Sequence, residues 1–554
     1  MNASVGMRHL AGAAVIATLA AALYLPFLGN PLVFDDRIFF SGRLFSYYAT
    51  HPLGLDLRLP AYFSITMTEV LWGGIAAHRI VSLLLHVGCA VALYKLLFDL
   101  QRAALGPEAS ADHALRAGIA AAAFALHPVA VYGAAYLVQR SIVMATLFSL
   151  LSAALFLRGL RRGSYADALS AALLYSLAVL SKEHAVLLPA ALLPVLALAQ
   201  VARGFALRHA AIYLAACAPA AAFVTLRSLH LIGGVYEEAF SGIAAQIESA
   251  SGADVSGQPL ALSAVTQAGL FFRYLALWFW PDPGAMSIDQ RVDFLATWTP
   301  GWIAAKVGGF AACGVLGAAL LRRGGAAALA GFGLLYAWIL FLVEFSAARF
   351  QEPFVLYRSY LWGPGFACIA VAALARIPRR GALAAGAVAC AALAYAAHDR
   401  LTTFSSPLLL WQDAASKLPD RPVPWGSRTL YGAGREFLYA GQPAQAIEVT
   451  DRCVRLYPQT AQCHYARGAV YLHLGEYEPA RRDLMRAIEL EPKQGIMYHR
   501  LGLALEGMAR VGEAEAAYRR GVELGYAAAQ FELQRLETPG RGLLAPGTRP
   551  SARK

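Results

Sequence analysis

The chain has 554 residues, 58% of them hydrophobic and only 15% charged, and its 47 Lys and Arg outnumber 35 Asp and Glu for a formal charge of +12. That balance excludes an ordinary soluble protein, about a quarter of which is charged, and the length excludes a single domain. The basic excess belongs to the cytoplasmic loops of a polytopic membrane protein, so no nucleic-acid partner is expected.

The first apolar run, from Leu10 to Leu28, is long enough to cross a bilayer, and the many runs behind it favour a retained span over a signal peptide. Further runs lie near 79–98, 115–131, 140–158, 166–181, 184–202, 208–227, 300–320, 326–345, 359–376 and 382–398, about eleven crossings in all. The aromatic piece "GLFFRYLALWFWP" at 269–281 is short and reads as an interfacial or re-entrant helix. Residues 1–398 therefore read as a polytopic membrane helix bundle in an all-α protein.

With the N-terminus cytoplasmic, the inner loops receive Arg8; Lys95, Arg102 and Arg116; Arg158, Arg161 and Arg162; Arg203 and Arg208; Arg322 and Arg323; and Arg376, Arg379 and Arg380. That distribution obeys the positive-inside rule. Outside then lie about 29–78, "SKEH" at 181–184, 228–299, 349–360 and everything after about 398. For a bacterial chain this means the inner membrane, with the C-terminal region in the periplasm.

Ionisable and polar groups recur at the outer ends of the runs: Asp35, Asp36 and Arg37; His78 and Arg79; His127; Gln139 and Arg140; Lys182, Glu183 and His184; Arg349 and Arg358. Such groups near hydrocarbon each cost a few kcal/mol unless paired or hydrated, which makes them functional candidates. Carboxylates and cations on one face suit a reaction between a membrane-borne phosphate and an outside acceptor. Cations neutralise the leaving phosphate, and a carboxylate takes the acceptor's proton. Adjacent like charges and partial desolvation raise a carboxyl's pKa, which suits Asp35 or Asp36 as the base; the plainer alternative is a solvated loop or a helix N-cap. For each single His or Lys the plainer alternative is snorkelling or local pairing. There is no dense Asp/His cluster, so no metal is expected.

A connector at 399–426 contains a helix-like stretch, "SSPLLLWQDAASKLP". From 427 to 536 the composition turns soluble with a period of 34 residues, in blocks 427–460, 461–494 and 495–528. Gly434, Gly468 and Gly502 share one position, Ala446, Ala480 and Ala514 another, and Pro458 and Pro492 close two blocks. This is the tetratricopeptide pattern of paired helices. Its concave face is expected to hold a protein; a packing cap or dimerisation element is the alternative. Seven cysteines include no CxxC, and Cys89, Cys217, Cys313, Cys368 and Cys390 sit in apolar runs as packing residues. Cys453 and Cys463 lie on adjacent helices and either pair or remain two buried thiols. The tail, 537–554, reads as disordered.

Several stretches in order resemble one family: "VFDDRIFF", "HRIVSLLLHVGCAVALYKLL", "AAFALHPVAVYGAAYLVQRSIVMATLFSLL", "LAVLSKEHAVLLPAALLP", "YLALWFWPDPGAMSID", "LYRSYLWGP" and "LLLWQDAASKLPDRPVPWGSRTLYGAG". Together they are similar to the multispanning C-class glycosyltransferases, and within them to the transmembrane and tetratricopeptide-repeat O-mannosyltransferases and their bacterial relatives. The resemblance implies inverting transfer of one sugar from a polyprenyl-phosphate carrier to a hydroxyl acceptor outside the cytoplasm, with no other cofactor. It implies that Asp35 and Asp36 are the catalytic acidic pair. Arg140, Lys182 and Arg358 are then expected to hold the carrier phosphate, with Arg37, His78, Arg79, His127, Gln139, Glu183 and Arg349 in support. The repeats would present an exported protein such as a pilin. Two departures stand out: Ser141 and Ile142 replace a basic and an acidic residue after Arg140, and "QEPFVLYRSYLWGP" is a looser version of an acidic, Arg- and Tyr-rich run. The rival readings are a non-catalytic repeat-bearing scaffold and a lipid-linked-sugar transporter, which would want its ionisable groups near the bilayer midplane.

Overall fold

The computed structural model describes residues 3–40, 43–51, 54, 56–108, 110–235, 257–294 and 298–537. The protein is all-helical, and among the described residues there is no strand, only the isolated bridges Val235–Ala348 and Gln290–Phe354. It divides into two compact units, Met1–Ser406 and Pro407–Lys554. The boundary falls later than 398 because the helix Arg379–Thr403 continues past it, and the connector helix Pro407–Ser416 goes with the second unit.

Among the described residues of the first unit eight helices are long and apolar enough to cross a membrane by length and composition, or nine if the bent pair Ala111–Ala125 and Pro128–Ala134 counts as one. Four expected crossings are shorter or broken, the run at 166–181 among them as the 17-residue helix Tyr165–Ser181. The run at 115–131 bends by 62° where Pro128 starts a new helix and the His127 side chain caps it by accepting from Val129 N. The run at 184–202 is a chain of short turns, Glu183–Leu187, Leu188–Leu192 and Val195–Leu198, interrupted at Pro189 and Pro194. The run at 359–376 forms only Gly363–Leu374.

The aromatic piece expected to be short is instead part of a 21-residue helix, Pro259–Phe279. Its polar side chains grip the segment 349–359 along its length. Ser263 Oγ accepts from Arg349 N at 3.0 Å, and Gln267 Nε2 donates to Pro353 O at 2.8 Å. Tyr274 bonds both backbone groups of Val355, and Trp278 Nε1 donates to Ser359 Oγ at 3.1 Å. These bonds fix Tyr357 and Arg358 in place. Close packing of Gly325–Phe341 on Gly363–Leu374 needs glycine at the crossing, because a Cβ on Gly333 or Gly365 would run into the other's carbonyl oxygen.

The second unit stacks three antiparallel helix pairs: Gly426–Tyr439 with Pro443–Leu456, Ala461–Leu474 with Tyr477–Leu490, and Gly495–Gly507 with Val511–Glu523. Ala527–Glu537 follows them. Ala446, Ala480 and Ala514 are fully buried, and Gly468 lies against Leu484, so the small residues sit where the paired helices touch. Cys453 and Cys463 are joined by a disulfide with a Cα–Cα distance of 5.3 Å, which decides between the two alternatives. Apart from Glu537, the tail expected to be disordered lies outside the described residues.

Candidate active site

Phe34 has φ 47° and ψ −126°, a conformation that non-glycine residues avoid, and directly after it the short helix Asp35–Phe39 begins. Backbone strain of this kind costs roughly 1–3 kcal/mol and persists only where surrounding bonds over-determine it. Here they do. Arg79 donates to the carbonyls of Asn30, Pro31 and Ala135 at 2.8–2.9 Å, tying the turn before Asp35 to the turn before Gln139. Asp36 is fully buried and accepts from Val138 N at 2.8 Å and Val33 N at 3.4 Å. Asp35 N donates to Tyr136 Oη at 3.1 Å. The adjacent carboxylates therefore part company, Asp36 inward and Asp35 outward. Burial pushes the Asp36 carboxyl up to about 7, against the backbone N–H donors that favour its charged form.

Asp35 lines a cleft of about 220 Å³ together with Ile38, Phe39, Arg58, Tyr62, Val138, Gln139, Ser141 and Lys182. Lys182 follows the helix Tyr165–Ser181 and is 3% exposed. Its ammonium lies 5.8 Å from the Tyr357 ring centroid, and among the described residues it makes no hydrogen bond or ion pair. Burial lowers its pKa to about 7, helped by the positive charges of Arg58, Arg358 and Arg349 and opposed by Glu183. Arg58, in a left-handed conformation at φ 65°, pairs with Glu183 through two hydrogen bonds of 3.0 and 2.6 Å, and Nη1 donates to Tyr62 Oη at 3.3 Å. The Glu183 charge holds the Arg58 guanidinium above its ordinary range.

A second charge cluster centres on buried Glu344. Arg358 donates to it at 3.1 Å, Arg349 Nε lies 3.6 Å away, and His184 stands between Glu344 at 3.4 Å and Glu183 at 3.5 Å. Three arginines, Arg58, Arg349 and Arg358, thus pair with two carboxylates, Glu183 and Glu344, and Lys182 lies nearby with no ion pair among the described residues. Of these cations Arg58 and Lys182 line the cleft with Asp35, and their charge suits an anionic ligand.

The structure brings Asp35, Gln139 and Lys182 into one cleft and sets Glu183, Arg349 and Arg358 in the linked ion pairs. It corrects the expectation for Arg140, which is fully buried and donates to Ser82 Oγ, Thr68 Oγ1 and His78 O at 3.3, 3.0 and 2.8 Å; its donors point at the protein. Arg79 is likewise committed to backbone carbonyls. His78 pairs with Glu69 at 2.8 Å, and His127 caps a helix and lies 3.2 Å from Trp278 O. Arg37 is exposed, with Nε 3.4 Å from Leu32 O. Arg58, Tyr62, Ser141, Glu344 and Tyr357 are the participants that sequence reasoning missed. Glu344 had a usable signal, a lone carboxylate inside an apolar run; Arg58 had none, because its partner is 125 residues away.

The tetratricopeptide repeat family matches residues 461–494. The Small glutamine-rich tetratricopeptide repeat-containing protein 2 of Mycosarcoma maydis is 33% identical over 95 residues, 17% of this chain and 27% of that protein. The chain thus spans about a quarter of that relative's length. Among solved structures, the Sgt2 TPR domain from Aspergillus fumigatus is 26% identical with a TM-score of 0.21, covering 24% of this chain and 94% of that one. The Arabidopsis OM64 TPR domain is 25% identical with a TM-score of 0.20, covering 20% and 93%. The match to the tetratricopeptide repeat family thus falls on the helix pair Ala461–Leu474 and Tyr477–Leu490 of the second unit.

Proposed function

We propose that the chain is a membrane-embedded inverting glycosyltransferase that moves one sugar from a polyprenyl-phosphate carrier to a hydroxyl on an exported protein. The observation that carries this reading is the presence, in one cleft, of the exposed Asp35 carboxylate and the buried Lys182 ammonium, which makes no ion pair among the described residues. In the transfer, Asp35 takes the acceptor's hydroxyl proton while that oxygen attacks the anomeric carbon. The bond from that carbon to the phosphate oxygen breaks, and its electron pair adds a negative charge to the phosphate. Lys182 and Arg58 offset that charge. Asp36, buried on Val138 N, positions the turn, so the base is Asp35 alone.

The long apolar helices support a membrane location, and the basic inner loops support a cytoplasmic N-terminus. The Cys453–Cys463 disulfide supports an oxidising compartment for the repeats, the periplasm of a bacterial cell. There the stacked repeats would present the acceptor, a pilin or another exported protein, on their concave face.

The test uses the purified full chain in liposomes with farnesyl-phosphate-linked hexoses and pentoses and the exported proteins of the source cell. Wild type is expected to release farnesyl phosphate and add one sugar's mass to a protein. Asp35→Asn should slow this by about 10²–10⁴-fold, the usual worth of a positioned base. A wild-type chain that transfers no sugar from any donor, yet captures an exported protein through its repeats, would favour the second reading, a repeat-bearing membrane scaffold. That reading draws on the match of residues 461–494 to the tetratricopeptide repeat family.

A further inference from the structure

Gln139 has no task in the transfer step, yet it lines the same cleft as Asp35, Arg58 and Lys182. It is 6% exposed, and its amide oxygen, Oε1, is buried with no hydrogen-bond partner. Buried polar atoms in folded proteins are nearly always paired, so an orphaned one in a ligand cleft marks where a ligand's donor belongs. The backbone there is held firmly: Gln139 N donates to Tyr136 O at 3.0 Å, the residue stands at the N-terminal boundary of the helix Arg140–Arg162, and the N–H of its neighbour Val138 is bonded to Asp36.

The cleft around it is mixed in a telling way. Gln139 Oε1 and Asp35 accept, Arg58 and Lys182 donate, the Tyr62 hydroxyl does both, and Ile38, Phe39 and Val138 give an apolar wall. A ligand matching this set must donate and accept on one edge and show C–H groups on a face, as a sugar ring does. At about 220 Å³ the cleft is smaller than the 300–1,000 Å³ of pockets for drug-sized ligands, so it has room for one ring and not for an oligosaccharide.

We propose that Gln139 is the specificity-determining residue for the transferred sugar: a single monosaccharide ring sits in this cleft and one of its hydroxyls donates to Gln139 Oε1. This rests on the transferase reading. It adds that the hydroxyl read by Gln139 decides which sugar that is.

The test measures binding of farnesyl-phosphate-linked hexoses and pentoses to the purified full chain in detergent, without acceptor, alongside versions of each lacking one hydroxyl. In wild type, loss of one particular hydroxyl should weaken binding by about 10-fold or more, because a site built to bond a hydroxyl rejects the analogue lacking it. In Gln139→Leu the parent and that analogue should bind alike, within about 2-fold, while the unfolding temperature stays at or above the wild-type value. Gln139→Glu, which keeps an acceptor oxygen, should retain the discrimination and serves if the leucine variant does not fold. Equal discrimination in wild type and Gln139→Leu overturns the proposal, as does failure of wild type to bind any of these donors. Binding that couples to Gln139 without transfer to any acceptor would uphold the sugar site and count against the transferase reading alone.

Discussion

Asp36 accepts a 2.8 Å hydrogen bond from the backbone of Val138, and this bond turns its neighbour Asp35 out into the cleft. Two chemically identical side chains, adjacent in sequence, thereby receive different work. Asp36→Ala leaves the Val138 N–H buried without its acceptor and should destabilise the first unit by about 1–3 kcal/mol. Asp36→Asn keeps an acceptor oxygen and should retain both stability and most transfer activity, whereas Asp35→Asn should retain stability and lose activity. Thermal unfolding in detergent beside a transfer assay separates the three; an Asp36→Asn chain as inactive as Asp35→Asn would move the base to Asp36.

The same burial makes stability depend on pH. Between the ordinary value of 3.8 and about 7, the folded chain keeps a proton on Asp36 that the unfolded chain has lost. Rising pH therefore favours unfolding across that window: the contribution is most favourable below about 4 and is lost as pH rises through 7. Unfolding temperatures of wild type and Asp36→Asn should diverge between pH 4 and 7, with wild type falling more steeply. Parallel curves would show that Asp36 is charged throughout.

Lys182 gives the opposite test, on binding. Its pKa is lowered to about 7, so above that pH the unliganded chain has a neutral amine that must regain a proton to meet a phosphate. Affinity for farnesyl phosphate should fall by about tenfold per pH unit as pH rises above 7. In Lys182→Met affinity should be lower and its dependence on pH lost, which calorimetry from pH 6 to 9 would measure.

Glu344 holds Arg358 in a buried ion pair. Glu344→Ala strands that guanidinium and should cost about 3–5 kcal/mol, while the double change Glu344→Met with Arg358→Met should recover much of the loss. Thermal unfolding of the three variants reads this directly; equal loss in the single and double variants would mean that Arg358 is stabilised by other groups.

The disulfide between Cys453 and Cys463 closes a loop of sequence separation 10, for which the loss of unfolded-state entropy is about 3 kcal/mol. Replacing both cysteines with alanine should lower the unfolding temperature of the repeat unit by several degrees, and maleimide should label neither thiol in the denatured, unreduced chain. Labelling of both would place the repeats in a reducing compartment and weaken the periplasmic assignment.

The repeat unit was legible in the sequence because its contacts are local. Helices of one hairpin touch within about thirty residues, so the small residues they need, Gly434, Gly468 and Gly502, recur at a fixed spacing. The apolar runs were legible for a similar reason, since composition alone decides which helices are long and apolar enough for hydrocarbon. Even there, Pro128, Pro189 and Pro194 broke helices that an average over a window had left whole.

Sequence by itself determined that cations and carboxylates gather at helix ends, Asp35, Gln139 and Lys182 among them. Only the tertiary structure decided which of them face the cleft. Arg79 and Arg140 are drawn inward by backbone carbonyls and hydroxyls, Asp36 by Val138 N, and Arg58 is brought to Glu183 across 125 residues of chain. A buried charge goes wherever partners can satisfy it, and those partners come from distant segments whose meeting no local pattern records.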